Sequence, residues 1–573
     1  MKFIPLFVLL FLQFTIFGYS QNDTISKPNK VKTNRNKKKS NQTQWAFKVI
    51  TFSSQYSNKE KSANQILGKP NVLPIGGLSP CAWAVSKDYD KTKPTSIRVA
   101  FEKPVKATQV AVAESYKAGT IEKIVLYGSD NQEKIVYQND PKLIDINSRM
   151  LNVFFEPTPF DVIEGELFLQ PKKVSDFEID AFGISGNTDT IKAYVNVALT
   201  MKFSFSKESL GPAINTKLDE VAPIISSDVK TLYFDRKNSP ENVGGVNDED
   251  DIWFSKADTN GNWLPAVNIG SPLNNKYNNF VQSITPDGNT LLIGNVYNLD
   301  GGMAPGASIS NRTKDRWAFP VKQTIKNFKN DNQFVNYFLT NDNKFLLIAM
   351  EDSNSYGGLD LYICFKTSKN HWSIPKNLGS TINTIADDFG PFLADDGVTL
   401  FYSTSGLSGY GKEDIFIARR LDDTWLNWTK PQNLGGAINT KESESKFSIT
   451  ASGEYIYLSS TENSIGLNDI FRIKLPEQLL STQGGKLKET GTIHWNSPNT
   501  GADNSSGFTA LPGGNCNANG TFNDIGLNGY WWSSTKNNTT TAWSMHLNYS
   551  NSYVYRANDY KTNSLSVRCV KDK

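Results

Sequence analysis

Three histidines, four cysteines and 57 acidic residues are the groups from which this 573-residue chain could build a reactive centre. His371, His494 and His546 lie far apart in different units of the chain, which argues against a histidine metal cluster or a His-based triad. Asp248–Asp251 (DEDD) is the one acidic cluster with the oxygen-rich chemistry a hard cation needs, and it lacks the spacing of a known cation loop. No Ser-His-Asp order, nucleophile elbow or phosphate loop stands in a supporting context. The expectation is therefore a chain with no catalytic residue, no cofactor and no metal.

The aspartates of one recurring phrase also invite a catalytic reading. They are Asp251 (DIW), Asp360 (DLY), Asp414 (DIF) and Asp469 (DIF), at intervals of 109, 54 and 55. The first interval is twice the others, and a copy without its aspartate lies at Gly306-Ala307-Ser308-Ile309. Two further markers keep the same phase. One is tryptophan before proline at Trp263/Pro265, Trp317/Pro320, Trp372/Pro375 and Trp428/Pro431; the other is LG-x-x-IN at Leu210–Asn215, Leu378–Asn383 and Leu434–Asn439. A fixed period of this kind marks a repeat architecture. A residue that returns once per repeat at the same place ties a turn, so a structural role is expected for these aspartates.

Each repeat holds four short runs of apolar, β-branched or aromatic residues between turn residues. In the fourth copy they are Gly390–Leu393, Thr399–Ser403, Asp414–Ala418 and Trp428–Pro431. Four strands in about 55 residues make one propeller blade. The phased phrases resemble the TolB-like (WD-like) propeller repeats of bacterial envelope proteins, over roughly residues 209–475. Five copies imply a five-bladed ring. The fifth copy lacks its Trp…Pro strand, and the alternating run Tyr194–Phe205 before the first copy is expected to complete it.

The flanking segments read differently. Residues 1–20 have a positive start (Lys2), an apolar run (Phe3–Phe17) and small residues at Gly18 and Ser20, the pattern of a cleaved secretory signal. Residues 21–43 form a polar, basic linker. The formal charge of +3 hides an asymmetry, because residues 1–40 carry eight basic and one acidic side chain. The remainder is mildly acidic, which argues against a basic nucleic-acid face. Residues 44–187 alternate in short runs such as Ser96–Phe101 and Ile121–Tyr127 and imply a β-sandwich. SSQY (Ser53–Tyr56), SANQILGKPN (Ser62–Asn71), the Pro80–Trp83 corner and EIDAFGISG (Glu178–Gly186) resemble a discoidin-like, galactose-binding-fold module. Relatives of that fold bind glycans, lipids or proteins through loops at one end. Trp45 and Trp83 are expected in the core.

Residues 188–478 are assigned to the propeller and 479–573 to a third unit rich in Gly, Ser, Asn, Thr and Trp. The phrases GTIHWNSPNTGADNSSGFTALPGG, GYWWSST (Gly529–Thr535), AWSMHL (Ala542–Leu547) and SVRCVKD (Ser566–Asp572) resemble the Fibrobacter succinogenes major paralogous domain. That resemblance implies a C-type-lectin-like fold of which only the closing half is present. Trp495, Trp531, Trp532 and Trp543 are expected to pack a core. In the family the cysteine of the SVRCV strand finds its partner in the absent opening half, so Cys516, in a Gly/Asn-rich loop, is the candidate partner of Cys569 in a disulfide. Cys364 alternates with Tyr362 and reads as a small buried thiol.

Together these readings give an all-β chain: a sandwich, a five-bladed propeller and a small lectin-like partial domain. They imply a secreted or periplasmic, non-enzymatic binding or scaffold protein of the bacterial envelope. Its partner would be an envelope glycan or protein, with no nucleic acid and no membrane insertion after signal removal. The alternative is an accessory propeller protein of a hydrolase or of an OmpA-like peptidoglycan-associated system.

Overall fold

The computed structural model describes residues 43–198, 206–314, 316–394, 397–450, 454–474, 484–502, 504, 508–536, 539–550 and 554–567. They are all-β apart from single turns at Ala63–Ile66, Gly245–Asn247 and Gly484–Leu487. The expected signal and basic linker lie outside the described residues, apart from position 43. No helix among the described residues is long and apolar enough to cross a membrane.

The first nine strands are β1 (Gln44–Trp45), β2 (Lys48–Phe52), β3 (Thr95–Val105), β4 (Gln109–Tyr116), β5 (Ile121–Tyr127), β6 (Glu133–Gln138), β7 (Arg149–Phe154), β8 (Val162–Leu169) and β9 (Glu178–Ser185). They form two antiparallel sheets, β1-β9-β4-β7 and β2-β3-β8-β5-β6. Alternation along β3 sends Ile97, Val99 and Phe101 inward, where they meet Val110, Val112 and Phe182 of the facing sheet. Trp83 is fully buried and meets Phe177 edge-on at 5.8 Å, as expected of a core residue. Trp45 is half-buried and lies over Gly183, where a side chain would strike its ring.

The next strands build five blades, four-stranded except blade 3, which has a fifth short strand. β10 (Lys207–Ser209) precedes blade 1, which is β11 (Asp219–Ile225), β12 (Thr231–Lys237), β13 (Asp251–Lys256) and β14 (Val267–Asn268). Blade 2 is β15 (Val281–Ile284), β16 (Thr290–Tyr297), β17 (Met303–Asn311) and β18 (Val321–Ile325). Blade 3 is β19 (Asn336–Leu339), β20 (Phe345–Met350), β21 (Asp360–Ser368), the short β22 (His371–Trp372) and β23 (Lys376–Asn377). Blade 4 is β24 (Asp388–Leu393), β25 (Thr399–Thr404), β26 (Asp414–Arg419) and β27 (Gln432–Asn433). Blade 5 is β28 (Glu444–Ile449), β29 (Tyr455–Ser460) and β30 (Asp469–Lys474), with β10 as its fourth strand. The innermost strands β11, β15, β19, β24 and β28 each touch the next, and β28 returns to β11. In blade 4 the fourth strand starts later than the expected Trp428–Pro431: Trp428 only bridges Arg420, and Gln432–Asn433 forms the strand.

The repeated markers are the blade joints. Asp414 accepts backbone N–H bonds from Tyr410 at 2.6 Å and Gly411 at 3.1 Å, which holds the loop before its own strand. It also accepts the Asn433 side-chain amide at 2.6 Å. The Asn433 oxygen accepts from the amide of Asn439, at 2.8 Å. Asn439 then acts as a piece of strand: its oxygen accepts the Ile415 N–H and its amide donates to the Ile415 carbonyl, both at 2.9 Å. The same set recurs as Asp360, Asn377, Asn383 and Leu361, and as Asp251, Asn268, Asn274 and Ile252. The structural role expected for the aspartates holds for these three. The tryptophans of the second marker wedge between blades: Trp263 meets Tyr457 of blade 5 at 6.5 Å and Trp317 meets Tyr233 of blade 1 at 6.3 Å.

Closure uses a different strand from the one expected. Lys207–Ser209 pairs antiparallel with β30, and Ser209 faces Phe471 as Asn433 faces Phe416. Its hydroxyl accepts Asn215 at 3.0 Å, and Asn215 clasps both backbone groups of Ile470. Of Tyr194–Phe205, residues 199–205 lie outside the described residues. Val197 bridges Asn433 of blade 4 and Ala198 is buried against blades 4 and 5, so the described part lies at the rim of blade 4.

The third unit holds β31 (Asn515–Cys516), β32 (Phe522–Asn523), β33 (Asn528–Lys536), β34 (Thr541–Asn548) and β35 (Val554–Tyr560), the last three as one antiparallel sheet. Its small core is Trp495, Ala510 and Leu547, with Trp531 and Phe508 against it.

Replacing Asn439 by alanine removes three hydrogen bonds and leaves the buried Ile415 N–H and carbonyl unpaired. The propeller should lose about 2–4 kcal/mol. Denaturant unfolding of the full chain reads this as a lower midpoint, and an unchanged midpoint contradicts the clasp.

Candidate binding surface

Alternate loops of an antiparallel blade emerge at opposite ends. The loop between the second and third strands and the loop to the next blade therefore share one face. Exposed apolar side chains stand there at Val243 and Val246 in blade 1, Leu299 in blade 2, Tyr356 in blade 3, and Ile465 and Leu467 in blade 5. In blade 4 the sandwich covers this place. Ser408 donates to the Pro70 carbonyl at 2.8 Å, and Lys59 donates to the Ser355 carbonyl in blade 3 at 2.9 Å.

Pro70 and Lys59 belong to the long connection between β2 and β3, so the loop-rich end of the sandwich is the end that meets the propeller. Buried carboxylates fix these loops. Asp180 is almost fully buried and accepts the N–H groups of Asn71, Val72 and Leu73, each at 3.1 Å. Burial pushes its carboxyl up to about 7, and the three N–H donors oppose that shift. Glu178 accepts Ser79 N–H at 2.8 Å and the Lys61 ammonium at 2.5 Å. Burial raises its carboxyl too, with Lys61 pulling the other way. At the edge of this end the half-buried Tyr56 ring lies 5.6 Å from the Lys61 ammonium and 5.1 Å from that of Lys87, which is fully exposed. An aromatic ring flanked by two ammonium groups, one of them exposed and bonded to the Tyr56 hydroxyl, can hold an acceptor-rich or anionic ligand.

The DEDD cluster disperses into separate bonds. Asp248 accepts Gly244 N–H at 2.9 Å, Glu249 accepts the Asn278 amide at 2.8 Å, and Asp251 accepts Val243 N–H at 2.7 Å. Asp250 lies 4.0 Å from Lys237. Among the described residues no group of three or more His, Cys, Asp or Glu side chains could hold a metal ion.

At the axis, Lys446 occupies a left-handed bulge (φ 42°) where blade 4 has Gly390 (φ 61°) and blade 1 has Ala222 (φ 56°). Its ammonium reaches 6.0 Å from the Phe280 ring at the start of blade 2. Burial raises Asp235 well above the ordinary carboxylate range, opposed chiefly by Lys446.

One cluster was invisible in sequence. Ser544, His546 and Asp559 meet on β34 and β35, with His546 Nε2 2.9 Å from Ser544 Oγ and 3.0 Å from Asp559 Oδ2. The Tyr530 ring lies 4.3 Å from the imidazole, and Tyr530 donates to Asp524 at 2.5 Å. Residues 13 and 15 positions apart meet only through strand register, and the sole sequence signal is S-x-H on one face of β34. Serine and aspartate share one imidazole nitrogen, whereas a relay needs opposite nitrogens, and Ser544 also donates to Asp559. Ser544 is not activated as a nucleophile in this geometry. His371 is exposed and bonds the Lys369 carbonyl, and His494 pairs with Glu489, so the three histidines stay apart as expected.

Cys81 and Cys364 are buried free thiols, each pushed up to about 12 by burial. Cys516 sits half-buried on β31 with no disulfide partner among the described residues; its thiol donates to the Asn517 carbonyl at 3.6 Å, and its backbone bonds Ser564. Cys569 lies outside the described residues, and so does the expected pairing.

The C-terminal stretch matches a known family. The model of the Fibrobacter succinogenes major domain matches residues 427–571, less than half of the chain. That match begins inside blade 4 and runs through blade 5, so the stretch that resembles the family is divided here between the propeller and the third unit. No curated protein matches the chain. Among solved structures, an α-L-arabinofuranosidase from Lactobacillus brevis is 13% identical over 46% of this chain and 91% of that one, with a TM-score of 0.29. A levansucrase from Gluconacetobacter diazotrophicus is 11% identical over 50% and 84%, with a TM-score of 0.30. A family 32 CBM from C. perfringens NanJ, in complex with galactose, is 17% identical over 24% and 97%, with a TM-score of 0.18. At these scores none of the three assigns this chain an activity.

Asp180 supplies a pH test. Its folded pKa of about 7 lies above the ordinary carboxylate value of 3.8, so its contribution to stability is full below pH ~4 and is lost as pH rises through ~7. The Tm advantage of the native chain over Asp180→Asn should therefore be larger at pH 4.5 than at pH 7.5. An advantage constant across that range contradicts the assignment.

Proposed function

We propose that this is a secreted, non-enzymatic binding or scaffold protein of the bacterial cell envelope, which recognises a glycan or protein partner through loops of the sandwich and propeller. One observation carries the reading: the loop-rich end of the sandwich is seated on the loop face of the propeller. Tyr56 and Lys87 stand on the same connection as Lys59, and Tyr356 follows Ser355, to which Lys59 bonds. Aromatic rings and an exposed ammonium group thus border one seam between two loop surfaces. Aromatic faces with a few polar donors suit a polyhydroxylated ligand better than they suit catalysis.

Further support comes from sequence. The apolar N-terminal run directs the chain out of the cytoplasm, and the phased markers resemble TolB-like propellers of envelope proteins. The first unit resembles discoidin-like binding modules, and the C-terminal phrases imply a lectin-like unit. The buried carboxylates of the loop ends hold backbone and are not paired around a vacant reacting centre.

A glycan array probed with the labelled mature chain tests the reading, with Tyr56→Ala and Lys87→Ala as variants. Binding should fall about tenfold in each, while Lys474→Ala, on the outer part of blade 5, leaves it unchanged. Glycan binding that both seam variants leave intact would place recognition elsewhere.

A further inference from the structure

The sheet of the third unit has two faces of different chemistry. Along β34, Leu547 points into the small core, so Ser544, His546 and Asn548 occupy the other face. Register places Trp532, Tyr530 and Asn528 of β33 opposite them, on that same face. Trp532, expected in the core, is therefore turned away from Leu547 and is half-buried. From β35 the face receives Ala557 beside Ser544 and Asp559 beside Ala542.

The hydrogen bonds of this face leave acceptors unused. Both bonds of Asp559 fall on Oδ2, and both bonds of His546 fall on Nε2. Asp559 Oδ1 and His546 Nδ1 have no partner among the described residues, and neither is closed off from solvent, since both side chains are about one-fifth exposed. With the Nε2 proton directed at Asp559, Nδ1 carries a lone pair. No lysine or arginine among the described residues pairs with Asp559 or with Asp524, which takes the Tyr530 hydroxyl at 2.5 Å. The sequence from 489 to 535 contains neither residue type. Two carboxylates thus bracket the Tyr530–His546 ring pair with no lysine or arginine to balance them.

We infer that this face binds the ammonium group of an amino sugar. The ammonium donates to Asp559 Oδ1 and His546 Nδ1, and a charge-assisted bond to a carboxylate is stronger than a neutral one. The sugar ring lies along Trp532, which stands opposite Ser544 and so next to the imidazole. A rigid pyranose covers that indole without the rotamer entropy a lysine side chain loses on ordering. An acetylated nitrogen has no charge to offer, and an anionic sugar meets two carboxylates. The preference is opposite to that of Tyr56 and Lys87, where the protein supplies the ammonium. The inference rests on the glycan half of the function proposed above and adds a substrate class and a site in a unit that reading does not use.

The chain has twelve tryptophans, so labelling with 5-fluorotryptophan gives twelve fluorine signals, and the one lost in Trp532→Phe reports on this face. Titration with glucosamine should shift that signal, whereas glucose and N-acetylglucosamine at the same concentration leave it in place. Asp559→Asn keeps the side-chain shape and an oxygen for Ser544, and should weaken the response at least about tenfold. His546→Gln keeps a donor to Asp559 but removes Nδ1, and should weaken it as well. Unmoved signals from the other tryptophans show that each variant is folded. An equal shift with glucose or N-acetylglucosamine, an equal or larger one with Nα-acetyl-lysine methylamide, or a glucosamine response that survives both variants overturns the inference. Tyr56→Ala and Lys87→Ala should leave the Trp532 response unchanged. Array binding lost in those two variants, with no Trp532 response to glucosamine, removes this site and leaves the other reading standing.

Discussion

The propeller depends on one side-chain arrangement, in which an asparagine acts as a residue of a strand it does not belong to. Asn274, Asn383 and Asn439 each satisfy both backbone groups of the residue after the repeat aspartate, in the blade the chain has just left. The aspartate and a second asparagine hold that clasp in place. A blade's innermost strand touches its neighbours mainly through side chains, so without such a tie the blades could slide. Buried amide bonds that are individually worth about 1 kcal/mol become costly to break when both partners are shielded from water. This is why the markers recur in phase: each is one part of the same joint.

The repeats were legible because each joint needs the same residue types at the same spacing. What the sequence hid lies where the joint is modified. Between blades 2 and 3 the register puts Pro305 where the aspartate would stand and Gln323 where the asparagine would. There β18 runs on to pair in parallel with β22 at Thr324 and Ile325, and the Gln323–Trp372 bond replaces the clasp. The closing strand was misplaced because Lys207–Ser209 is too short to show alternation, whereas Tyr194–Phe205 alternates well. Three residues suffice, since the strand needs only to place Ser209 beside Asn215. The Ser544–His546–Asp559 cluster and the seating of the sandwich on blades 3 and 4 depend on register and on contacts between distant segments, which no local pattern encodes.

Candidate binding features gather at these irregularities. The sandwich sits over the loops of blade 4, leaving exposed apolar tips on blades 1, 2 and 5. At the seam of blades 5 and 1 the fourth strand bonds through the Ser209 hydroxyl in place of an asparagine amide. The repeat aspartates, which look reactive in sequence, are committed to backbone N–H groups and, in three blades, to an asparagine amide.

The central claim is that Ser209 occupies the position of the second asparagine, Asn433 in blade 4, which holds the clasp in place, and restoring an asparagine there tests it most directly. In Ser209→Asn the new amide can donate to Asp469 while its oxygen keeps the bonds to Gly211 and Asn215 that the serine hydroxyl makes now. The account predicts a propeller more stable by about 1 kcal/mol, a rise in Tm of about 2 °C in thermal unfolding of the full chain. A Tm that is unchanged or lower would contradict the placement of Lys207–Ser209 as the closing strand.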